Sequence, residues 1–76
     1  MSEQEFLEDI SFSLRSAMNE KGISQTKLAK MTGINRQLIN CYVNGKRMPS
    51  LKNLLNMFFV LDLRIEDEID MFDLIR

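Results

Sequence analysis

The sequence contains no histidine and no tryptophan, and Cys41 is the one cysteine among its 76 residues. One cysteine cannot form an intramolecular disulfide, and without histidine the chain lacks the ligands of an ordinary protein zinc site. The thiol also has no histidine to act as its base, so the sequence does not favour an enzyme. We therefore expect no metal site, no cofactor, no small-molecule ligand and no catalytic activity.

Long apolar runs are also missing, and none approaches the roughly 20 residues that span a bilayer. The first five residues are acidic where an export signal would be basic and then apolar. These absences predict a soluble, cytoplasmic protein with no membrane partner. A chain of this length buries only about 60% of its unfolded surface. We therefore expect residues 1–76 to form a single domain around one core.

Charge is separated along the chain, although the net charge is only −1. Residues 21–61 contain no acidic residue and seven basic ones, namely Lys21, Lys27, Lys30, Arg36, Lys46, Arg47 and Lys52. The two ends hold all eleven acidic residues against three arginines, which gives them a charge of −8. Alone, such a charge run is typical of a solvated surface. Combined with a suitable motif, it indicates a surface that binds nucleic acid.

Apolar residues recur at helical spacing in short blocks, and no segment alternates as a strand does, which predicts an all-α bundle. Four helices are expected at residues 3–20, 25–32, 36–44 and 51–61. The predicted N-caps of the last three are Ser24, Asn35 and Ser50, and the predicted stops of the first three are Gly22, Gly33 and Gly45. The inner face of the fourth helix is predicted to hold Leu51, Leu54, Leu55, Phe58 and Leu61.

The last segment, residues 62–76, has an ambiguous pattern. Leu63 and Ile65 alternate with charged residues as in a strand, whereas Ile65, Ile69 and Phe72 keep helical spacing. We favour a fifth helix here, which makes the predicted fold a compact five-helix bundle.

The second and third helices are joined through Gly33, and both are short. This is the helix-turn-helix arrangement, in which the second helix of the pair enters the major groove of DNA. Ala29 is small enough to let the two helices cross closely, and glycine tolerates the positive φ of the turn. The side chains expected to fill the junction from inside are Ile34, Ile39 and Tyr42.

The segment from Ser24 to Lys46, followed by Pro49-Ser-Leu, resembles the phage-repressor and Cro-type (Xre) helix-turn-helix family. The features that carry the resemblance are Gln25 opening the helix, Ala29 and then Gly33, the Asn-Gly-Lys stop at residues 44–46 and the Pro-Ser cap. The resemblance covers roughly residues 10–62. The sequence departs from the family at Tyr42, which is bulkier than usual, and at Cys41 and Val43, which make the helix end less polar. The resemblance implies a lambda-repressor-like fold with double-stranded DNA as its partner.

The outward face of the third helix is predicted from geometry. If Ile39 points inward with Leu38, Tyr42 and Val43, helical periodicity turns the opposite side toward solvent. The residues expected to contact bases are Arg36, Gln37, Asn40 and Cys41. Glutamine and asparagine pair with adenine, arginine pairs with guanine, and a small apolar side chain can touch a thymine methyl. The alternative is an ordinary solvated helix face.

Phosphate contacts are expected on either side of the reading helix, because backbone contacts fix register while base contacts specify sequence. The family resemblance implies that Gln25, Asn35, Asn44 and Lys46 hold the DNA backbone, with Arg47 and Lys52 adding charge. Gln25 also lies at a helix N-terminus, which favours an anion. Two interpretations are equally open for Lys21, Lys27 and Lys30: direct contact with phosphates, or only a contribution to the positive electrostatic field.

A reading helix of about nine residues covers half a site, so such proteins bind as twofold dimers with half-sites about 34 Å apart. Apolar residues in surplus of one core are expected at the dimer interface: Met57, Phe59, Val60, Met71, Phe72 and Ile75. In this interpretation residues 62–76 serve as a dimerisation element, and the alternative is that they close the core. The predicted function is a transcriptional regulator, a repressor at a palindromic operator. A protein-interaction module of the same fold, such as an antitoxin or adaptor, is the alternative.

Overall fold

The computed structural model describes residues 2–64 of the chain, and this part contains four helices and no strand. The helices are α1 (Glu3–Lys21), α2 (Gln25–Thr32), α3 (Arg36–Val43) and α4 (Leu51–Val60). Every end lies within one residue of its predicted position, and the all-α class is confirmed. Within residues 2–64, none of these helices combines the length and the hydropathy that crossing a membrane demands.

The helices begin where short polar side chains can accept hydrogen bonds from the first turn. Ser24 Oγ accepts from the backbone N–H of Lys27 at 3.1 Å, and Ser50 Oγ accepts from that of Asn53 at 3.2 Å. Asn35 Oδ1 accepts from the N–H of Gln37 at 2.7 Å. Each bond satisfies a donor that has no partner within its own helix. The three predicted N-caps are therefore confirmed.

Two of the predicted glycine stops fix the path of the chain around α3. Gly33, with φ of 75°, ends α2 and donates its N–H to the carbonyl of Ala29 at 2.8 Å. Gly45, with φ of 66°, follows α3, and a Cβ built there would lie 3.3 Å from Ser11 Oγ. Positive φ strains any residue with a side chain, and the space beside Ser11 is small as well. Gly45 therefore brings the chain leaving α3 close to α1.

One hydrophobic core joins all four helices. Its fully buried side chains include Ile10 and Leu14 from α1, Leu28 from α2, Ile39 from α3 and Phe58 from α4. The three residues predicted to fill the helix-turn-helix junction, Ile34, Ile39 and Tyr42, are all buried. Because α2 and α3 have eight residues each, they are too short to be stable alone, and this shared core holds them.

The orientation of α4 corrects part of the prediction. Met57 was expected outside the inner face but is fully buried, whereas Leu51 is 68% exposed and Leu55 is 45% exposed. Val60 is half-buried and packs partly against the core, and Phe59 is 85% exposed as expected. Apolar residues occupy most positions of α4, so periodicity allowed more than one inner arc. Packing against the rest of the bundle decides among them and turns Met57 inward.

The chain turns sharply after α4. Asp62 has a positive φ of 56°, and the N–H of Leu63 donates to the carbonyl of Phe58 at 2.8 Å. This 6→1 bond ends a helix in the Schellman manner. The predicted start of a fifth helix at residue 62 is therefore wrong, and the described residues support four helices rather than five. Residues 65–76, with Met71, Phe72 and Ile75, lie outside the described part of the chain.

Candidate nucleic-acid interface

Helix α3 has an apolar inner face and a polar outer face. Ile39, Tyr42 and Val43 are buried against the core, with Leu38 half-buried beside them. The outward residues Arg36, Gln37 and Asn40 are exposed, and Cys41 is half-buried at the boundary. The outer face predicted from helical geometry is the face that the structure turns to solvent.

An open concavity of about 420 Å³ lies along this outer face, lined by Gln25, Arg36, Gln37, Asn40 and Cys41. The structure thus brings together all four residues expected to contact bases. It adds Gln25 from the start of α2, which was expected only beside a phosphate. The lining offers amide donors and acceptors, a guanidinium and a thiol, the types of group that pair with base edges.

A hydrogen bond links the two helices across the concavity. Asn40 Nδ2 donates to Gln25 Oε1 at 3.1 Å. A primary amide carries two N–H groups and one carbonyl oxygen, so Asn40 keeps its Oδ1 and a second N–H for other partners. Gln25 in turn keeps its Nε2 group, whose position at the start of α2 suits an anion. This bond joins a side chain at the start of α2 to one on the outer face of α3.

The asparagines on either side of α3 cap the helix. Asn35 Oδ1 accepts the N–H of Gln37, and Asn44 Nδ2 donates to the carbonyl of Asn40 at 2.8 Å. Both side chains are exposed and retain further donor capacity. Their expected phosphate contacts are therefore compatible with the capping roles that the sequence suggested only for Asn35.

The basic residues of the stretch 21–61 are all exposed. Lys46 and Arg47 are exposed in the turn directly after α3, and Lys52 is exposed in the first turn of α4. The side chains of Lys21, Lys27 and Lys30 are exposed as well. The basic stretch of residues 21–61 therefore contributes all its charge to the surface and none to the core.

Three side-chain bonds that hold the helix-turn-helix were missed by the sequence reasoning. Arg15 Nη1 donates to the carbonyl of Val43 at 2.8 Å, and Asn53 Nδ2 donates to the hydroxyl of Tyr42 at 3.0 Å. Asn56 Nδ2 donates to the carbonyl of Thr32 at 2.8 Å. One signal was available, because a buried tyrosine hydroxyl needs a polar partner. The partner itself depends on how α4 packs, which the sequence pattern did not determine.

The fold and this face together define a class of protein. Two eight-residue helices cross at a glycine turn, and the second helix presents polar side chains outward with basic residues on either side. This is the geometry of a helix-turn-helix DNA-binding domain, whose second helix is the reader.

Comparison with protein families agrees with this class. The helix-turn-helix family HTH_3, which is Xre-like and lambda-repressor-like, matches residues 14–67. The chain belongs to this family. Comparisons with curated proteins and with solved structures gave no match. This family consists of DNA-binding regulatory domains. Membership therefore implies that the protein binds double-stranded DNA and regulates transcription.

Proposed function

We propose that this protein is a sequence-specific transcriptional repressor that reads the major groove of a palindromic operator with α3. The observation that carries the proposal is the outer face of α3. Arg36, Gln37, Asn40 and Cys41 meet there in one open concavity beside the start of α2. None of the four is acidic, and none is a large apolar residue of the kind found at the centre of protein interfaces.

Each of these side chains has a base edge that it can recognise. Gln37 and Asn40 carry the paired donor and acceptor that match adenine, and Arg36 carries the fork that matches guanine. Cys41 is small and half-buried, which suits a thymine methyl that approaches closely. The bond from Asn40 to Gln25 orders the asparagine amide in advance, which reduces the conformational-entropy cost of binding.

Phosphate contacts in this proposal flank the reading face. Gln25 and Asn35 lie at the starts of α2 and α3, where unpaired backbone N–H groups and the helix dipole favour an anion. Asn44 and Lys46 lie in the turn at the other end of α3. Arg47 and Lys52 add positive charge farther along the chain. These contacts fix the orientation of α3, and the residues of the concavity supply the sequence preference.

The repressor in this proposal is a homodimer, because one eight-residue helix reads only half of a site. The described surface offers an apolar stripe on α4 for the contact. Leu51, Leu55 and Phe59 are spaced four residues apart and are 68%, 45% and 85% exposed. Met57 has no place in this interface because the protomer buries it completely. Val60 is half-buried, and Val60, Met71, Phe72 and Ile75 remain predicted contributors.

The test of the reading function is selection of bound sites from a random duplex pool by the purified protein near physiological salt. The expected result is a twofold-symmetric consensus with half-sites about 34 Å apart, one turn of DNA. The matched control is Gln37→Ala, which should lose preference at one base position of each half-site. No enrichment by folded protein would contradict the proposal and favour a protein-interaction module of the same fold.

The dimer has its own test. Phe59→Glu should weaken self-association in sedimentation equilibrium, because it places a charge in the apolar stripe of α4. The matched control is Phe12→Glu on α1, since Phe12 is also an exposed aromatic residue, at 64%. If both variants associate as the wild type does, α4 is not the interface.

A further inference from the structure

The end of α3 lies against one face of α1. Arg15 Nη1 donates to the carbonyl of Val43 at 2.8 Å, and Gly45 lies so close to α1 that a Cβ there would be 3.3 Å from Ser11 Oγ. Ser11 and Arg15 are four residues apart and therefore share a face of α1. The hydrogen bond from Arg15 and the close approach of Gly45 to Ser11 thus place the end of α3 against α1.

Helix α3, like α4, has no basic residue of its own in its last turn. The last carbonyls of a helix have no partner within the helix, and a cation there also interacts favourably with the helix dipole. Lys21 is in the last turn of α1 and Lys30 in that of α2, but the last turn of α3 has no basic residue. The guanidinium of Arg15 comes from another helix to fill this position. A bond from a charged donor is stronger than one between neutral groups.

The residues after the held carbonyl belong to the proposed DNA contacts. We define the exit turn as residues 44–46, which carries Asn44 and Lys46. It is closed by the N–H of Lys46, which donates to the carbonyl of Cys41 at 2.9 Å. The Val43 carbonyl belongs to the peptide group that joins α3 to Asn44, so Arg15 holds the peptide that leads directly into the exit turn.

We propose that Arg15 is a positioning residue that holds the exit turn in register with the base contacts, so that phosphate and base contacts form together. The inference rests on the proposed function for the phosphate role of Asn44 and Lys46. Two other roles are possible for an exposed arginine: a direct phosphate contact of its own, or a contribution to stability alone. The three roles predict different results.

The first measurement is a double-mutant cycle in DNA binding, made at a temperature where every variant is folded. Arg15→Gln should weaken binding to the selected site about tenfold, as expected for loss of a charged hydrogen bond. In that background Lys46→Ala should cost much less than in the wild type, because the exit turn is already displaced. Arg15→Lys, which keeps a charged donor, should restore part of the affinity.

The matched control is Lys21→Gln, which removes the same charge from α1 without touching α3. It should be additive with Lys46→Ala. Additivity of Arg15→Gln with Lys46→Ala would assign Arg15 an independent phosphate contact and overturn the proposal. Unchanged affinity in the folded Arg15→Gln variant would leave a role in stability alone and would overturn it as well.

The second measurement needs no DNA. Amide hydrogen exchange of Gly45 and Lys46 should be about tenfold faster in Arg15→Gln, while that of Leu14 in the core should change less. Unchanged exchange in the exit turn would overturn the positioning role whatever the binding data. If the wild type binds no duplex at all, the proposed function fails, and the exchange result still decides whether Arg15 holds the turn.

Discussion

The two faces of α3 are built from adjacent residues but differ in burial and in polarity. On the inner face, Ile39 is fully buried and Tyr42 and Val43 are nearly so. On the outer face, Gln37 and Asn40 are exposed, and the side chain of Asn40 bonds to that of Gln25 across the concavity. Packing determines the inner residues, whereas the outer residues are exposed, and in the proposed function they are selected by the DNA that they contact.

Substitutions on the two faces should therefore change different quantities, namely the free energy of unfolding and the affinity for DNA. A change on the inner face removes apolar contacts and lowers the free energy of unfolding. A change on the outer face should leave the fold intact and weaken DNA binding. The following predictions test this separation, beginning with the largest expected effect.

Ile39→Ala should cost about 2 to 5 kcal/mol in the free energy of unfolding, because it opens a cavity at the centre of the core. Stability of a small domain is typically about 5 to 15 kcal/mol, so the variant should unfold at much lower urea. Urea denaturation followed by circular dichroism measures the change. The control is Ile39→Val, with an expected cost of about 0.5 to 1.5 kcal/mol. A cost below that of the control would show that α3 is not held by its inner face.

Gln37→Ala should weaken binding to the selected operator by about 1 to 3 kcal/mol and relax preference at one base position. The side chain is exposed, and the capping bond to Asn35 uses the backbone N–H, so the unfolding free energy should change by less than about 0.5 kcal/mol. Fluorescence anisotropy with operators mutated one base pair at a time gives both quantities. An equal loss on every operator would contradict a base contact.

Lys46→Ala supplies the contrasting result on the same assay. A phosphate contact carries no sequence information, so affinity should fall by a similar factor on all duplexes. The slope of log affinity against log salt should become less steep by about one. The loss on the selected operator should be smaller than that of Gln37→Ala. A loss confined to one base pair would move Lys46 to the base-contacting set.

Tyr42→Phe should cost about 1 kcal/mol in unfolding free energy, since it removes the acceptor of the bond from Asn53 and leaves the ring in place. The cycle with Asn53→Ala isolates the bond, and the second substitution should add little once the hydroxyl is absent. Operator affinity of the folded variant should not change, because Tyr42 lies on the inner face. A change in base preference would show that the two faces are coupled.

The helices and the solvent-facing side of α3 could be predicted because local signals determine them. Ser24, Asn35 and Ser50 mark the helix starts, and the outer face of α3 follows once Ile39 is placed inward. The family resemblance at residues 24–46 is confirmed by the family match over residues 14–67.

What could not be predicted depends on contacts between distant residues. The inner face of α4 was partly mispredicted because Leu51, Leu55 and Met57 are all apolar, and only packing shows that Met57 is the buried one. The bond from Arg15 to Val43 joins residues 28 positions apart. A backbone carbonyl has no sequence signature, so no pattern could have indicated this contact.

Cys41 lies on the boundary between the two faces and should show the smallest effect. Cys41→Ala keeps a small apolar side chain, so both the unfolding free energy and the operator affinity should change by less than about 1 kcal/mol. Cys41→Ser has nearly the same shape but a polar tip, and it should bind the selected operator more weakly than the alanine variant if the thiol touches a thymine methyl. Replacing that thymine with uracil, which lacks the methyl group, should abolish the difference. If serine and alanine bind alike on both duplexes while serine alone lowers stability, Cys41 belongs with the inner face, and the reading surface of α3 contains only Arg36, Gln37 and Asn40.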